Sequence, residues 1–231
     1  MFEKKKMIMV MGMIVLAWMF CGLTAGAAAG KKLVVLIDPA HGGKDAGVKL
    51  NDDVSEKNIT LAVALLLKKE LGQETNVEII LSRDADKSLD GEDRKQIIEK
   101  SKPDFFISLH VNSGFGKNAS GFEIYYPDCS AGVTDDKKTA KDDPQKMKNK
   151  CQNDSLKMAK IIESNLNSLF PRKGRGLRKA DLPLTEGMMI PSLSVEMGFA
   201  SNPEDKKKLL SENTQTAIAG AMARSIKTFG R

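Results

Sequence analysis

The sequence predicts an α/β fold: a single domain built on a largely parallel twisted sheet flanked by helices. Two observations carry that prediction. Short apolar runs rich in β-branched residues recur after residue 30 without polar alternation, as strands buried on both faces do. Between them lie stretches with apolar residues at helical spacing, and strands alternating with helices build parallel sheets. With 231 residues, 41% hydrophobic and 29% charged, the chain is long enough to bury one sizeable core. No internal repeat interrupts the alternation.

The elements follow in order. Leu33-Val34-Val35-Leu36-Ile37, closing on Asp38, reads as a buried strand, and Pro39 stops its ladder. Lys44 to Val54 is a polar loop, after which Ser55 caps a helix from Glu56 to about Leu71. Leu61, Ala62, Leu65 and Leu66 repeat at helical spacing there, and Gly72 sits where a glycine would end the helix. Val77 to Leu81 is a second strand and Glu92 to Lys100 a second helix. Phe105 to Leu109 is a third strand ending on His110, and Phe122 to Tyr126 a fourth. Residues from about 128 to 152 are rich in lysine and aspartate, and read as a charged, solvated insertion. Asn153 to Phe170 resumes helical periodicity, Pro191 to Met197 gives a further strand, and helices are expected at Pro203 to Leu210 and Ala217 to Phe229.

The first 29 residues stand apart from the domain, which is assigned to residues 30–231. Lys4-Lys5-Lys6 precede an apolar run from Met7 to Phe20, and small residues from Thr24 to Ala29 follow. This is the layout of a secretory signal peptide, with an uncleaved membrane anchor as the alternative. Either way the domain is expected to work outside the cytoplasm, in a periplasmic or extracellular setting. These 29 residues hold three lysines and one glutamate, so the net charge of +6 falls to +4 without them. A moderately basic exported domain suits an anionic extracellular polymer or membrane surface, and argues against nucleic acid. Export also leaves Cys129 and Cys151, which bracket the insertion, in a compartment where disulfides persist. Their pairing is the simplest expectation.

The chain has two histidines, His41 and His110, and each falls at the C-terminal end of an expected buried strand. Alone, His41 between Pro39 and Gly42-Gly43 reads as a turn residue bonding a neighbour. Parallel strand ends share one edge, however, so the two imidazoles are expected to converge, and metal coordination becomes the leading reading. Two imidazoles with one carboxylate form a common catalytic zinc set that leaves a fourth position for water. On position alone Glu56 reads as a helix-start acid meeting the macrodipole; it is also the natural third ligand. Glu196 sits inside the apolar run Leu193 to Phe199, where an ionised carboxylate needs a local reason. A salt bridge is one such reason, and a general base beside metal-bound water is the preferred one. The basic run Arg172 to Lys179 reads either as a solvated loop or as a partner for carboxylates of an anionic substrate.

Taken in order, these residues sit in motifs that carry a resemblance. They are Ile37-Asp38-Pro39-Ala40-His41-Gly42-Gly43, Ser55-Glu56-Lys57-Asn58, Leu81-Ser82-Arg83-Asp84 and Phe106 to Asn112, then Gly121 to Tyr126, Arg175-Gly176-Leu177 and Val195 to Asn202. From about Lys32 to Lys227 the chain resembles the zinc-dependent N-acetylmuramoyl-L-alanine amidases of the amidase type 3 family, cell-wall hydrolases with a phosphorylase-like α/β fold. The resemblance implies that His41, Glu56 and His110 bind Zn2+ and that Glu196 is catalytic. It implies a peptidoglycan substrate, cut between the muramic acid lactyl group and L-alanine of the stem peptide. Ala40 stands where glycine is commoner, and the insertion is the larger departure. Some relatives carry an inhibitory segment in that region. No appended wall-binding domain is evident, so targeting is expected from the catalytic domain or from a partner such as an activator protein. Another zinc-dependent wall hydrolase (a deacetylase or carboxypeptidase) and a non-catalytic wall-binding module are the competing readings.

Overall fold

The protein is described here by a computed structural model covering residues 31–114, 116–129, 143–170 and 175–231. The expected signal segment and the tip of the insertion lie outside the described residues. Six strands form one sheet: β1 (Leu33–Pro39), β2 (Val77–Leu81), β3 (Phe105–Asn112), β4 (Glu123–Tyr126), β5 (Leu177–Lys179) and β6 (Ser192–Phe199). Their order is β2-β1-β3-β6-β4-β5. All neighbours run parallel except β4 and β6. The helices are α1 (Glu56–Leu71), α2 (Gly91–Ser101), α3 (Pro144–Asn167), α4 (Pro203–Leu209) and α5 (Glu212–Phe229). Among the described residues no helix is long and apolar enough to cross a membrane.

Strand alternation divides the core into two unequal parts. Val35, Ile37, Phe105, Ile107, Leu109, Leu193, Val195 and Met197 face one side, where they pack against Val63 and Leu67 of α1, Met158 and Ile162 of α3, and Ile218 and Met222 of α5. Each such side chain, fully buried, contributes about 1.5–3 kcal/mol. The opposite face holds a small cluster of Leu36, Phe106 and Ile98, with Ile98 supplied by α2. Along that thinly covered face the residues change character toward the C-terminal ends of the parallel strands. Leu36, Phe106 and Ser192 are in register; the next row on the same face is Asp38, Ser108, Ser194 and Tyr125. His110, Glu196 and Glu123 form the last row. One sheet face thus runs from apolar to ionisable over three rows, and the chemistry sits at its end.

The helices begin where local chemistry allows. The Asn58 side chain accepts from the Ser55 amide at 3.0 Å at the start of α1. Asp90 and Asp93 exchange side-chain to backbone bonds at the start of α2, at 2.8 and 3.1 Å. Helix α1 ends at Leu71 as expected, although Gly72 is right-handed (φ −63°) instead of adopting the left-handed form usual for a terminating glycine. Helix α5 starts at Glu212, five residues before the expected Ala217, behind the N-cap Ser211.

The insertion is shorter than the composition implied. Helix α3 starts at Pro144, so residues 144–152 are helical and not a solvated loop. Asp143 caps it by accepting from the Gln145 amide at 2.9 Å, and Pro144 occupies the first turn, where its missing N–H costs nothing. The lysines of this stretch lie off the single buried stripe of Cys151, Ser155, Met158, Ala159, Ile162 and Leu166. Cys129 and Cys151 are bonded, with Cα atoms 6.1 Å apart and a sequence separation of 22 positions. Closing a loop of that size stabilises by roughly 3 kcal/mol in the chain-entropy model.

The two edges of the sheet are built differently from its centre. On β2, Glu78 is exposed in mid-strand beside Val34. Strand β5, which has no strand-like pattern of its own, exposes Arg178 and Lys179. It exists through pairing with β4.

Candidate active site

His41 is delivered by a strained turn. Its φ is 63°, a left-handed value that costs a non-glycine residue on the order of 1–3 kcal/mol. Two buried guanidiniums hold the turn in place. Arg83 donates from Nε to the Pro39 carbonyl at 2.9 Å and from Nη2 to the carbonyls of Ala40 at 3.0 Å and Lys57 at 2.9 Å. Arg94 donates to the His41 carbonyl at 2.7 Å. Gly47 closes against the site: a Cβ there would lie 2.6 Å from Glu56 Oε2 and from His41 Cδ2. Only a residue without a side chain fits.

Glu56, the first residue of α1, is 2% exposed and its carboxylate is fully engaged. Oε2 accepts from the Val48 amide at 3.0 Å and faces His41 Nε2 at 3.1 Å. Oε1 accepts from the Val111 amide at 2.9 Å and faces His110 Nδ1 at 3.4 Å. Burial pushes the carboxyl upward, but the bonds from His110, His41, Val111 and Val48 outweigh it and hold it well below the usual range. The same pairing acts on His41, where the bond to Glu56 outweighs burial and, with Asp45 adding to it, raises the imidazole to about 9.

Each imidazole has its outer nitrogen tied down. His41 Nδ1 lies 2.7 Å from Asp45 Oδ2; a carboxylate only accepts, so Nδ1 carries the proton. Ser108 Oγ donates to Asp38 Oδ2 at 3.1 Å and has one proton to give, so at 2.9 Å it accepts from His110 Nε2. Asp38 is itself 1% exposed and takes Arg94 and Ser82 on its other oxygen. The inner atoms of His41, Glu56 and His110 lie within 4.8 Å of one another. Two imidazoles and a carboxylate, each fixed by an outer partner, are the donor set that a divalent metal ion takes. The residues present fit a metal.

Glu196 lies beside this cluster, in register with His110 on one side and Glu123 on the other. Its Oε2 is buried with no hydrogen-bonding partner among the described residues. Burial is the main cause that pushes its carboxyl up to about 7; Glu56 and Glu123 add to it and His110 opposes it. Orphaned buried carboxylate oxygens need an explanation, and a group poised between proton donor and acceptor is one.

The structure therefore brings His41, Glu56, His110 and Glu196 to one end of one sheet face. Reading the sequence missed the residues behind them: Asp45, Asp38, Ser108, Arg94 and Glu123. Asp38 carried a signal, as an acid closing an apolar strand, whereas Asp45 sits in a polar loop that gives none.

Metal binding to the free protein should be strongly pH-dependent. His41 stands at about 9, above its ordinary 6.5, so at neutral pH it is protonated and that proton must leave before Nε2 can ligate. The expected result is an apparent affinity that rises about tenfold per pH unit as pH climbs toward 9, with close to one proton released per ion at pH 7. Calorimetric titration in buffers of different ionisation heat measures this. Binding at pH 7 without proton release would show that the His41–Glu56 pair does not form.

Comparison with known proteins gives the family and the fold. The chain is 31% identical over 195 residues to the sporulation-specific N-acetylmuramoyl-L-alanine amidase of Bacillus subtilis, covering 84% of this chain and 66% of that protein. Its fold superimposes on the N-acetylmuramoyl-L-alanine amidase AmiC2 of Nostoc punctiforme with a TM-score of 0.70 at 29% identity, covering 85% of this chain and 96% of that one. The CwlD amidase of Clostridioides difficile, solved in complex with the GerS lipoprotein, aligns with a TM-score of 0.69 at 26% identity, covering 86% and 98%. The family model for N-acetylmuramoyl-L-alanine amidases matches residues 35–228, nearly all of the described fold, and this chain belongs to that family.

Proposed function

We propose that the amidase reaction of this family is carried out here at a zinc ion held by His41, Glu56 and His110, with Glu196 as the proton-transferring group. One observation carries the reading. Three inner donor atoms within 4.8 Å of one another stand beside a buried acid whose Oε2 has no partner among the described residues. The substrate is peptidoglycan, and the bond cut is the amide between the muramoyl lactyl group and L-alanine. When bound, zinc supplies Lewis acidity, lowering the pKa of water to about 7 and polarising a carbonyl.

The chain's own residues do the rest. Asp45 and Ser108 fix both ring orientations, and the Val48 and Val111 amides fix the carboxylate of Glu56. Glu196, at about 7, is matched to take a proton from the attacking water and to return it to the departing nitrogen. A C–O bond forms, the C–N bond breaks, and the products are a lactyl carboxylate and a free amino-terminal alanine.

Export and a protein partner complete the proposal. The basic and apolar pattern of residues 1–29 and the Cys129–Cys151 bridge support an exported enzyme. The complex of CwlD with the GerS lipoprotein supports a protein partner, and an activator is the role proposed for it here. Digestion of purified peptidoglycan by residues 30–231, with and without a chelator, tests the reading. New amino-terminal alanine should appear and vanish with the chelator. Release of acetate or of a carboxy-terminal residue instead would favour a deacetylase or carboxypeptidase.

A further inference from the structure

Beyond the metal cluster, the last row of the sheet carries a second charged group. Glu123 is 4% exposed and lies in register with Glu196 on the neighbouring strand. All of its capacity is used. Oε2 accepts from Asn112 Nδ2 at 2.9 Å and from the Tyr125 hydroxyl at 2.8 Å. Oε1 accepts from Arg175 Nε at 2.7 Å and faces Arg178 Nη2 at 3.5 Å. One buried carboxylate therefore anchors two guanidiniums, leaving one positive charge in excess.

Arg175 is the better placed of the two. Its amide donates to the Phe122 carbonyl at 3.0 Å, and its guanidinium lies over the Phe199 ring at 5.4 Å. Nε is spent on Glu123, whereas Nη1 and Nη2 have no hydrogen-bond partner among the described residues, and the side chain is 40% exposed. A guanidinium fixed along one edge and stacked on a ring has lost most of its rotamer freedom. Its open end presents two parallel N–H groups, which match a carboxylate in a bidentate pair. A brace for Glu123 alone would not need that end turned to solvent.

We propose that Arg175, with Arg178 beside it, forms a subsite for a carboxylate of the stem peptide. The proposal rests on the amidase reading above and extends it to substrate choice. The distance narrows which carboxylate. His110 and Glu123 lie on strands separated by β6, so they are about 10 Å apart at the usual strand spacing. An extended peptide covers that in about three residues. The group recognised is thus an acid on the second or third residue of the stem, not one at its far end.

The test uses two soluble muropeptides that differ only at that position, one with a free carboxylate and one with the carboxamide. The wild-type enzyme should favour the free acid by about 10- to 100-fold in kcat/KM, chiefly through KM, the size expected for hydrogen bonds to a charged group. Arg175→Gln should bring the two substrates close to parity, and Arg175→Lys should restore part of the preference. The ratio is measured within each variant, so partial unfolding does not alter it. A wild type that cuts both forms equally, or an Arg175→Gln enzyme that keeps the full preference, overturns the subsite and leaves the amidase reading intact. A wild type that releases no amino-terminal alanine from either form overturns both.

Discussion

Glu196→Gln should lower kcat by about 10²–10⁴-fold, the usual effect of removing a general acid–base group, while zinc content stays at the wild-type level. The side chains proposed to hold the ion are on β3, α1 and the turn after β1, and none of them hydrogen-bonds to Glu196. Stability separates a catalytic role from a structural one. The carboxyl of Glu196 is raised to about 7, mainly by burial, so its charged form is destabilised by folding. A neutral amide of the same shape avoids that cost. The melting temperature of Glu196→Gln at pH 8 should equal or exceed that of the wild type, even as turnover collapses. Activity within a factor of about three of wild type would show that Glu196 is structural, since proton transfer is worth at least about a hundredfold.

Changing a proposed ligand should do more. His41→Ala and His110→Ala are each expected to lose stoichiometric zinc and all measurable activity together. Each removes one of three inner donors and leaves Glu56, which is 2% exposed, with one fewer compensating partner. Asp45→Ala is the graded control. It frees the outer nitrogen of His41 without removing a ligand, so affinity should fall by about 10- to 100-fold, as is typical when such a support is lost. Metal analysis of dialysed protein beside an activity assay reads all three. Full zinc occupancy in both histidine variants would sink the assignment.

How much of this was legible in the sequence differs from element to element. Strands β1, β3 and β6 announced themselves because they are buried on both faces, and their apolar runs have no other use. Three of the four central residues stood out for a related reason: two lone histidines at strand ends and an acid inside an apolar strand are costly unless they work together, whereas Glu56 read on position alone as a helix-start acid and only the resemblance drew it into the set. Strand β5 was not legible, since Leu177-Arg178-Lys179 owes its conformation to a neighbour 53 residues earlier. The first two turns of α3 were hidden by their lysines. Composition over such a window reports the exposed majority, and the buried stripe begins only at Cys151. The supporting shell was the least visible part. Nothing local links Arg94 to Asp38, or Arg175 to Glu123, because those pairings are made by folding across 56 and 52 positions.

The edges of the sheet have a consequence for the protein at high concentration. Open edges invite strand-to-strand association, the first step toward aggregates and fibres. Here both outer strands carry exposed charge in or at the end of a short strand: Glu78 on β2, Arg178 and Lys179 on β5. Two copies meeting through β2 would bring Glu78 close to its own counterpart, and two meeting through β5 would set basic side chains against basic side chains on both faces of the sheet. Like charges facing across a pair of strands are unfavourable. Joining β5 of one copy to β2 of another would satisfy the charges, but three residues give too short a ladder to hold. The charges that end the sheet at six strands also keep one molecule from becoming the template for the next.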